Sequence, residues 1–529
     1  MAKGGRDADY KQEGNMNDIF ASVNTRAILD MQRKLYCWSR NDPQKVYTDL
    51  FNLVCDRRTL ALAWDRLSRN SGSKTPGIDG VTRHTVLKRA DGVAGFLIEI
   101  REELRNGTYR PQPVRQRLIP KPGKPGKFRP LGIPTLKDRL VQMALKIVLE
   151  PIFETDFYPT SYGFRRGRSA HDAISMITKQ INARQTGKAP VNWVIEADVK
   201  ACFDNIDHHR LMECIRKRIK DTKVLRLILA FLKAGIMAEG NLRHSVTGTP
   251  QGGIISPLLA NIYLSQIDAR YRRWIPNPGE RSSLKASGRC AWDTRQGQPA
   301  FYLVRYADDF IILVIGTRED ADKEKATLAD FLREELGMEL SLEKTLITRP
   351  EDGFNFLGYR IVKEPSLRSG RMVGKQFIPK EKLQLIRTRI KQMTRHNTTW
   401  QTMDSLLRNL NSLISGWRNY YRYAVRAYDA FNALDDFTWH RVQKWARKKH
   451  KKRTAHYVRL KYAKQASPRR WTWGGEKKRL QFFTRGGTMR YNCRGIRISN
   501  GWNDEIDGVK FYLEAARSIS GLAILGEHL

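Results

Sequence analysis

Three features of this 529-residue chain predict an α+β protein. From 190 to 360, short apolar runs alternate with segments of helical spacing, the pattern of a mixed domain. Within it, Phe301-Tyr302-Leu303-Val304 and Phe310-Ile311-Ile312-Leu313-Val314 are separated by a few residues that include Asp308 and Asp309, which reads as a hairpin with two acids at its turn. After Pro379 the character changes to amphipathic helix. Leu383, Ile386, Ile390 and Met393 mark one helix, and Leu406, Leu410, Leu413 and Trp417 a second.

Taken in order, residues 1 to about 17 are polar and glycine-containing and read as disordered. A helical region follows to Asn70, then a loop from Ser71 to Gly80 dense in turn residues. Residues 81–110 read as helical, with Glu99, Glu102 and Glu103 on a polar face. A basic strand-loop-strand runs from Arg117 through the Lys/Pro/Gly stretch at 121–127 to Ile133. Leu136, Leu140, Met143 and Ile147 recur at helical spacing, and Pro151 is expected to stop that helix. The stretch from Tyr271 to Pro299 is polar and reads as an irregular insertion. Between Asp436 and Glu476 lie 13 Lys/Arg and no acid, interleaved with Trp439, Trp445, Tyr457, Tyr462, Trp471 and Trp473.

Charge narrows the partners. The chain carries 95 Lys+Arg against 54 Asp+Glu, a formal net charge of +41. Such an excess points to a polyanion, most often nucleic acid, bound through counterion release. A membrane is disfavoured, since the longest strongly apolar run, Phe310 to Ile315, is far too short to span a bilayer. The N-terminus lacks the apolar core of a secretory signal. Cys37, Cys55, Cys202, Cys214, Cys290 and Cys493 are scattered without a CxxC pair, as expected of free thiols in a reducing, cytoplasmic setting.

The acids supply the chemistry. Two adjacent carboxylates repel, so a turn holding both is poor for stability and good for hard cations, because Mg²⁺ takes oxygen ligands, typically one or two carboxylates plus substrate phosphates. Asp198 ends the apolar run Trp193-Val194-Ile195 and is placed to emerge at a strand end. Three carboxylates from two strands would meet the charge of two Mg²⁺ and a triphosphate. Thr249 to Pro257 puts Gly252 and Gly253 before a helical run, where backbone can approach a flat ligand. Lys121 and Arg129 flank the basic loop and are placed to clamp phosphates. Gly358 in Phe354-Asn355-Phe356-Leu357-Gly358-Tyr359 suggests another close backbone approach.

In order, RLIPKPGKPGKFRPLGIP (117–134), SYGFRRGRSAHDAI (161–174), ADVKACFDNIDH (197–208), GTPQGGIISPLLANIYL (248–264), RYADDF (305–310), LSLEKT (340–345) and FNFLGY (354–359) resemble reverse transcriptases, specifically those encoded by group II introns. The resemblance runs from about Asn70 to about Asp436, and the ordered set is specific where any one motif is weak. It implies a right-hand polymerase with fingers and palm, then a helical thumb and a small basic DNA-binding domain. The corresponding division is 1–70, an extension partly disordered then helical; 71–365, fingers and palm; 366–436, thumb and maturase region around LNSLISGWRNYYRY; and 437–529, the basic domain.

The resemblance also implies roles for particular residues. Asp198, Asp308 and Asp309 match the catalytic, metal-ligating carboxylates, assisted by the Val199 carbonyl. Lys121, Arg129 and Gln251 match nucleotide contacts, Phe203 the residue that excludes a 2′-OH, and Lys344 the motif of a possible general acid. The implied cofactors are two Mg²⁺ with dNTP substrates. The implied partners are intron RNA in a ribonucleoprotein, target DNA and an RNA template with its DNA primer. A stand-alone bacterial reverse transcriptase, or a splicing maturase whose polymerase is dispensable, are the alternatives. Many family members end in a Cys/His-type endonuclease, whereas after Gly475 this sequence offers only Cys493 and His528, and Asp504, Glu505 and Asp507 stand without a histidine nearby and read as a solvated turn, so no nuclease is expected from it.

Overall fold

The computed structural model describes residues 8–120, 126, 128–182, 190–238, 241–243, 252–280, 282–341, 343–366, 369–467, 470–496 and 498–502. The elements begin with α1 (Ala8–Asn41), α2 (Phe51–Val54), α3 (Arg57–Ser68), α4 (Arg83–Leu87) and α5 (Gly92–Asn106). Next come β1 (Val114–Pro120), β2 (Phe128–Ile133), α6 (Leu136–Phe153), α7 (Ala170–Ile181), β3 (Trp193–Ala197), α8 (His208–Arg216) and α9 (Thr222–Lys233). Then follow β4 (Ile236–Ala238), β5 (Asn241–Arg243), α10 (Ser256–Arg270), α11 (Leu284–Arg295), β6 (Ala300–Tyr306), β7 (Asp309–Ile315), α12 (Arg318–Leu336) and β8 (Leu346–Thr348). The remainder is β9 (Phe354–Phe356), β10 (Tyr359–Pro365), β11 (Met372–Phe377), α13 (Lys380–Met393), α14 (Met403–Tyr421), α15 (Ala427–Lys449), α16 (Ala455–Tyr462), β12 (Ala463–Ser467) and β13 (Arg470–Trp473). This is the mixed α+β composition expected. Among the described residues no helix is long and apolar enough to cross a membrane.

The described residues form two compact units, one from those within 1–173, 195–347 and 494–502, the other from those within 174–194 and 348–493. In the first, one four-stranded sheet has the order β2-β1-β4-β5 and another the order β6-β7-β3-β8. The basic segment forms the antiparallel β1–β2 pair, with Ile119 opposite Arg129. Helix α6 is capped by Thr135, whose side chain accepts from the Asp138 N–H, and it is buried on nearly every side.

Pro151 does not end α6 but lies inside its last turn. A proline there leaves the carbonyl four residues back without its helical donor. That carbonyl belongs to Ile147, and the buried Gln32 side chain of α1 donates to it at 2.7 Å. A tertiary hydrogen bond thus replaces the helical one. Two other stretches differ from the periodicity. The 81–110 helix is split into α4 and α5, and the polar insertion contains α11. Helix α1 begins at Ala8, inside the segment read as disordered.

In the second unit, β9, β10 and β11 form a sheet in the order β11-β10-β9. Its FNFLGY turn places Leu357 and Gly358 at φ +46° and +73°. A Cβ on Gly358 would lie 3.3 Å from the Tyr421 hydroxyl, which donates to the Gly358 carbonyl at 3.1 Å, so the close approach inferred from the glycine is present. Tyr420 donates to the Leu357 carbonyl and Tyr359 to the Tyr420 carbonyl. Trp417 meets Tyr421, Phe431 and Phe483.

The division read at Asp436 falls within the 23 residues of α15. Beyond it, Asp435 accepts from the Phe483 and Thr484 N–H groups, and Asp404 accepts from those of Glu476, Lys477 and Lys478, which pins the following chain to α15 and α14. From Arg494 the chain belongs to the first unit. Arg494 donates to Asp172 and the Gly167 carbonyl, and Trp502 is buried beside Leu29 and Tyr36 of α1. Asp504, Glu505, Asp507 and His528 lie outside the described residues.

Candidate active site

The β6–β7 register pairs Tyr306 with Asp309, leaving Ala307 and Asp308 as a two-residue turn. Ala307 has φ +58°. An L-residue in that region costs on the order of 1–3 kcal/mol and persists only where its surroundings over-determine it. Here they do. Gly163 of the SYGF motif packs so closely that a Cβ on it would lie 2.3 Å from the Ala307 nitrogen. The Arg305 guanidinium, fully buried, donates to the Ala307 carbonyl at 3.0 Å.

Next to β7 in the sheet runs β3, and Asp198 follows its last residue. The Asp198 carbonyl accepts from the Ser341 N–H at 2.7 Å, and the Lys200 N–H donates to the Glu339 carbonyl at 2.9 Å. Both bonds bracket the antiparallel bridge between Val199 and Leu340. In such a bracketed pair the central residue directs its own N–H and C=O away from that partner. The Val199 carbonyl therefore faces away from the Leu340 segment. The Lys344 ammonium lies 2.8 Å from Asp198 Oδ2.

Electrostatics tie the three acids together. Burial raises the Asp308 carboxyl, the Asp198 charge raises it further, and Arg129 opposes. Asp309 keeps contact with solvent at its surface, yet burial first, then the charges of Asp308 and Asp198, push it up to about 6. The chain has thus placed like charges where they oppose the ionisation of Asp308 and Asp309, a frequent mark of a functional site. Among the described residues no three His, Cys, Asp or Glu side chains form a group that could hold a metal ion by themselves. A Mg²⁺ site completed by backbone, water and substrate phosphate needs fewer.

The other sequence-derived candidates are distributed around this hairpin. Arg129 is exposed on β2 and acts on both turn carboxylates. Phe203 is half-buried in a short 3₁₀ turn at Cys202–Asp204, entered through Ala201 at φ +43°. Its neighbour Cys202 is a buried thiol whose pKa is raised by burial and then by Asp308. Lys121 and Gln251 lie outside the described residues. The Ile254 N–H, just beyond Gln251, donates to the Gln142 side chain at 2.7 Å. A Cβ on Gly252 would lie 2.3 Å from the Gly132 carbonyl oxygen, so this glycine serves a backbone approach within the protein.

Of the six aromatics interleaved with that basic stretch, Trp445, Tyr462 and Trp473 are core residues. Trp439 and Tyr457 are half-buried, and Trp471 is exposed. The reason is local. Trp445 lies on the inward face of α15, with its indole N–H on the Thr398 hydroxyl, and the Trp473 indole N–H donates to the Trp439 carbonyl. Lys451, Lys452 and Arg453 remain exposed beside them.

A basic α+β protein that holds paired carboxylates on a hairpin beside a third has the make-up of a nucleotidyl-transferring polymerase. Comparison with known proteins agrees. Residues 119–361 match the profile of the reverse transcriptase (RNA-dependent DNA polymerase) family, and residues 383–463 that of the group II intron maturase-specific domain. Protein YkfC of Escherichia coli K12 is 38% identical over 366 residues, covering 67% of this chain and 93% of that protein. The group II intron-encoded protein LtrA of Lactococcus lactis is 38% identical over 376 residues, 64% of this chain and 60% of LtrA. A putative COX1/OXI3 intron 2 protein of Saccharomyces cerevisiae is 28% identical over 387 residues, 67% of this chain and 43% of that protein. The chain belongs to the group II intron-encoded reverse transcriptase and maturase family, RNA-directed DNA polymerases that use a divalent metal and dNTPs and assist splicing.

Proposed function

We propose that Asp198, Asp308 and Asp309, with the Val199 carbonyl, are the ligands for two Mg²⁺ ions in a site that adds dNTPs to a DNA 3′-OH opposite an RNA template. The observation that carries this reading is the electrostatic conflict at the hairpin, where burial first, and then the charges of Asp308 and Asp198, raise the Asp309 carboxyl to about 6. A hard cation relieves that conflict, and an all-oxygen donor set suits Mg²⁺. When bound, the metal pair supplies charge to the attacking and leaving oxygens of phosphoryl transfer.

The chain's own side chains orient the substrate. Arg129 and Lys121 take part of the triphosphate charge in this proposal, and Gln251 lies near the incoming nucleotide. Phe203 lies under the sugar C2′ and excludes ribonucleotides; a Phe203→Ala enzyme with an unchanged rNTP/dNTP preference would remove it from that role. Lys344 neutralises Asp198 before substrate arrives, and donation of a proton to the leaving pyrophosphate requires it to leave that carboxylate first.

The proposed layout is a right hand, with 71–365 as fingers and palm. The thumb is 366–436 together with the rest of α15, and the remainder of 437–529 is a basic nucleic-acid-binding region. Its proposed partners are intron RNA, target DNA and the RNA template with its DNA primer. The net charge of +41 and the maturase-domain match support that set. The test is primer extension by the Asp308→Ala, Asp309→Ala double variant. Extension should be lost while RNA affinity, which rests on distributed Lys/Arg contacts, is retained. Wild-type extension in that variant would sink the ligand assignment.

A further inference from the structure

Behind the hairpin lies a set of buried polar groups to which none of the roles above assigns a task. Arg305 and Asp268 are both fully buried. Arg305 Nε donates to both Asp268 oxygens at 3.0 and 3.1 Å, and Nη2 donates to Oδ2 at 2.6 Å. Its Nη1 donates to Asn261 Oδ1 at 3.1 Å and to the Ala307 carbonyl at 3.0 Å. The Asn261 amide in turn donates to the Gly163 carbonyl at 2.8 Å. Gly163 closes the circuit by packing against the Ala307 nitrogen. The Arg305 backbone is fixed as well, its N–H donating to the Thr160 carbonyl and its carbonyl accepting from Tyr162.

Stability alone does not explain such a set. Replacing a buried ion pair by apolar residues of similar volume is often neutral or stabilising. What the pair does here is geometric. Asp268 and Asn261 lie seven residues apart on α10, two turns along one face, so a rigid helix holds the planar guanidinium at two edges. The remaining N–H direction is aimed at the carbonyl of Ala307, the turn residue with the unfavourable φ directly before Asp308.

We propose that Arg305, clamped by Asp268 and Asn261 and backed by Gly163, is the positioning residue that sets the Ala307 turn and thereby aims the Asp308 and Asp309 carboxylates. The inference rests on the assignment of those two aspartates as metal ligands and adds the frame that makes them usable. Arg305→Lys keeps a charge beside Asp268 but cannot bond Asp268, Asn261 and Ala307 together from one planar group. Gly163→Ala leaves every charge in place and pushes the turn through the intruding Cβ.

The experiment uses the full chain with labelled primer–template, at a temperature where thermal denaturation shows each variant folded. Both variants should lose about a hundredfold in kcat, the scale of a displacement near 1 Å, while KM for dNTP and RNA affinity stay close to wild type. The Mg²⁺ concentration for half-maximal rate should rise. Hydrogen–deuterium exchange should increase across 306–310 and nowhere else. If neither variant folds, Asn261→Asp, which keeps the acceptor for Arg305 but loses the donor to Gly163, takes their place. Folded variants with wild-type kcat, Mg²⁺ dependence and exchange overturn the proposal. An active Asp308→Ala, Asp309→Ala enzyme would instead overturn the ligand assignment beneath it, so the two failures are distinguishable.

Discussion

Around the β6–β7 hairpin, like charges are held close together by a frame of buried polar groups. Along 441–453, like charges are spread over a helix end and the turn after it. In the first region Asp308 in the turn and Asp309 at the start of β7 are carried by two strands whose side chains are almost all buried, and a guanidinium with no solvent contact fixes the turn. In the second, Lys451, Lys452 and Arg453 are exposed, while Trp445 close by is core. The difference fits the two tasks proposed for them. Phosphoryl transfer needs oxygens held to fractions of an ångström. Neutralising a phosphate backbone needs charge density and tolerates movement.

The largest effect that can break this comparison is at the hairpin. Asp308→Ala with Asp309→Ala should reduce extension by on the order of a thousandfold or more, since a lost metal site removes several kcal/mol of transition-state stabilisation. If RNA affinity fell in parallel, the two regions would not be separable in function.

Next in size is a contrast between two tryptophans in the basic stretch. Trp445→Ala should destabilise by about 3–5 kcal/mol, the usual loss for a large buried aromatic, and lower Tm. Trp471→Ala should leave stability within about 0.5 kcal/mol, as for an exposed site. If a base stacks there, it should weaken single-strand binding by about 1–3 kcal/mol. Thermal melts and filter binding of the two variants settle which aromatic is core and which is interface.

A smaller effect comes from pH. Asp309 titrates near 6 in the fold instead of near its ordinary 3.8. Between those values the native state holds a proton that the unfolded chain has released. Folding stability therefore falls as pH rises through this window, and the full penalty is present above it. A cation must displace the same proton, because metal ligation needs the carboxylate. The Mg²⁺ requirement for half-maximal extension should consequently increase as pH drops below about 6, approaching tenfold per unit where the proton competes directly. A flat Mg²⁺ requirement from pH 7 to pH 5 would contradict it.

The smallest effect lies in the salt dependence. Replacing Lys451, Lys452 and Arg453 together by alanine should make the slope of log K against log salt shallower by about 2 to 3, because each phosphate contact contributes roughly 0.7–0.9. Extension of a saturated primer–template should not change. An unaltered slope would mean these cations face solvent only.

By itself, the sequence determined the α+β class, the hairpin with its two acids, the strand end that carries Asp198, and the family to which the chain belongs. Those features are local: alternation along a strand, a two-residue turn and an ordered run of short motifs are all written in neighbouring residues. The tertiary structure alone decided the rest. That Pro151 stays within α6 depends on Gln32, 115 positions from the carbonyl it satisfies. That Trp445 and Trp473 are core, and that residues after Arg494 join the first unit, depends on partners far away in the chain. The frame of Arg305, Asp268, Asn261 and Gly163 left one trace. Asn261 and Asp268 stand two turns apart on a helix otherwise buried on nearly every side, where a polar side chain needs a partner. Neither the identity of that partner nor its aim at Ala307 can be read along the chain, because burial and hydrogen-bond satisfaction are properties of what is brought near in space.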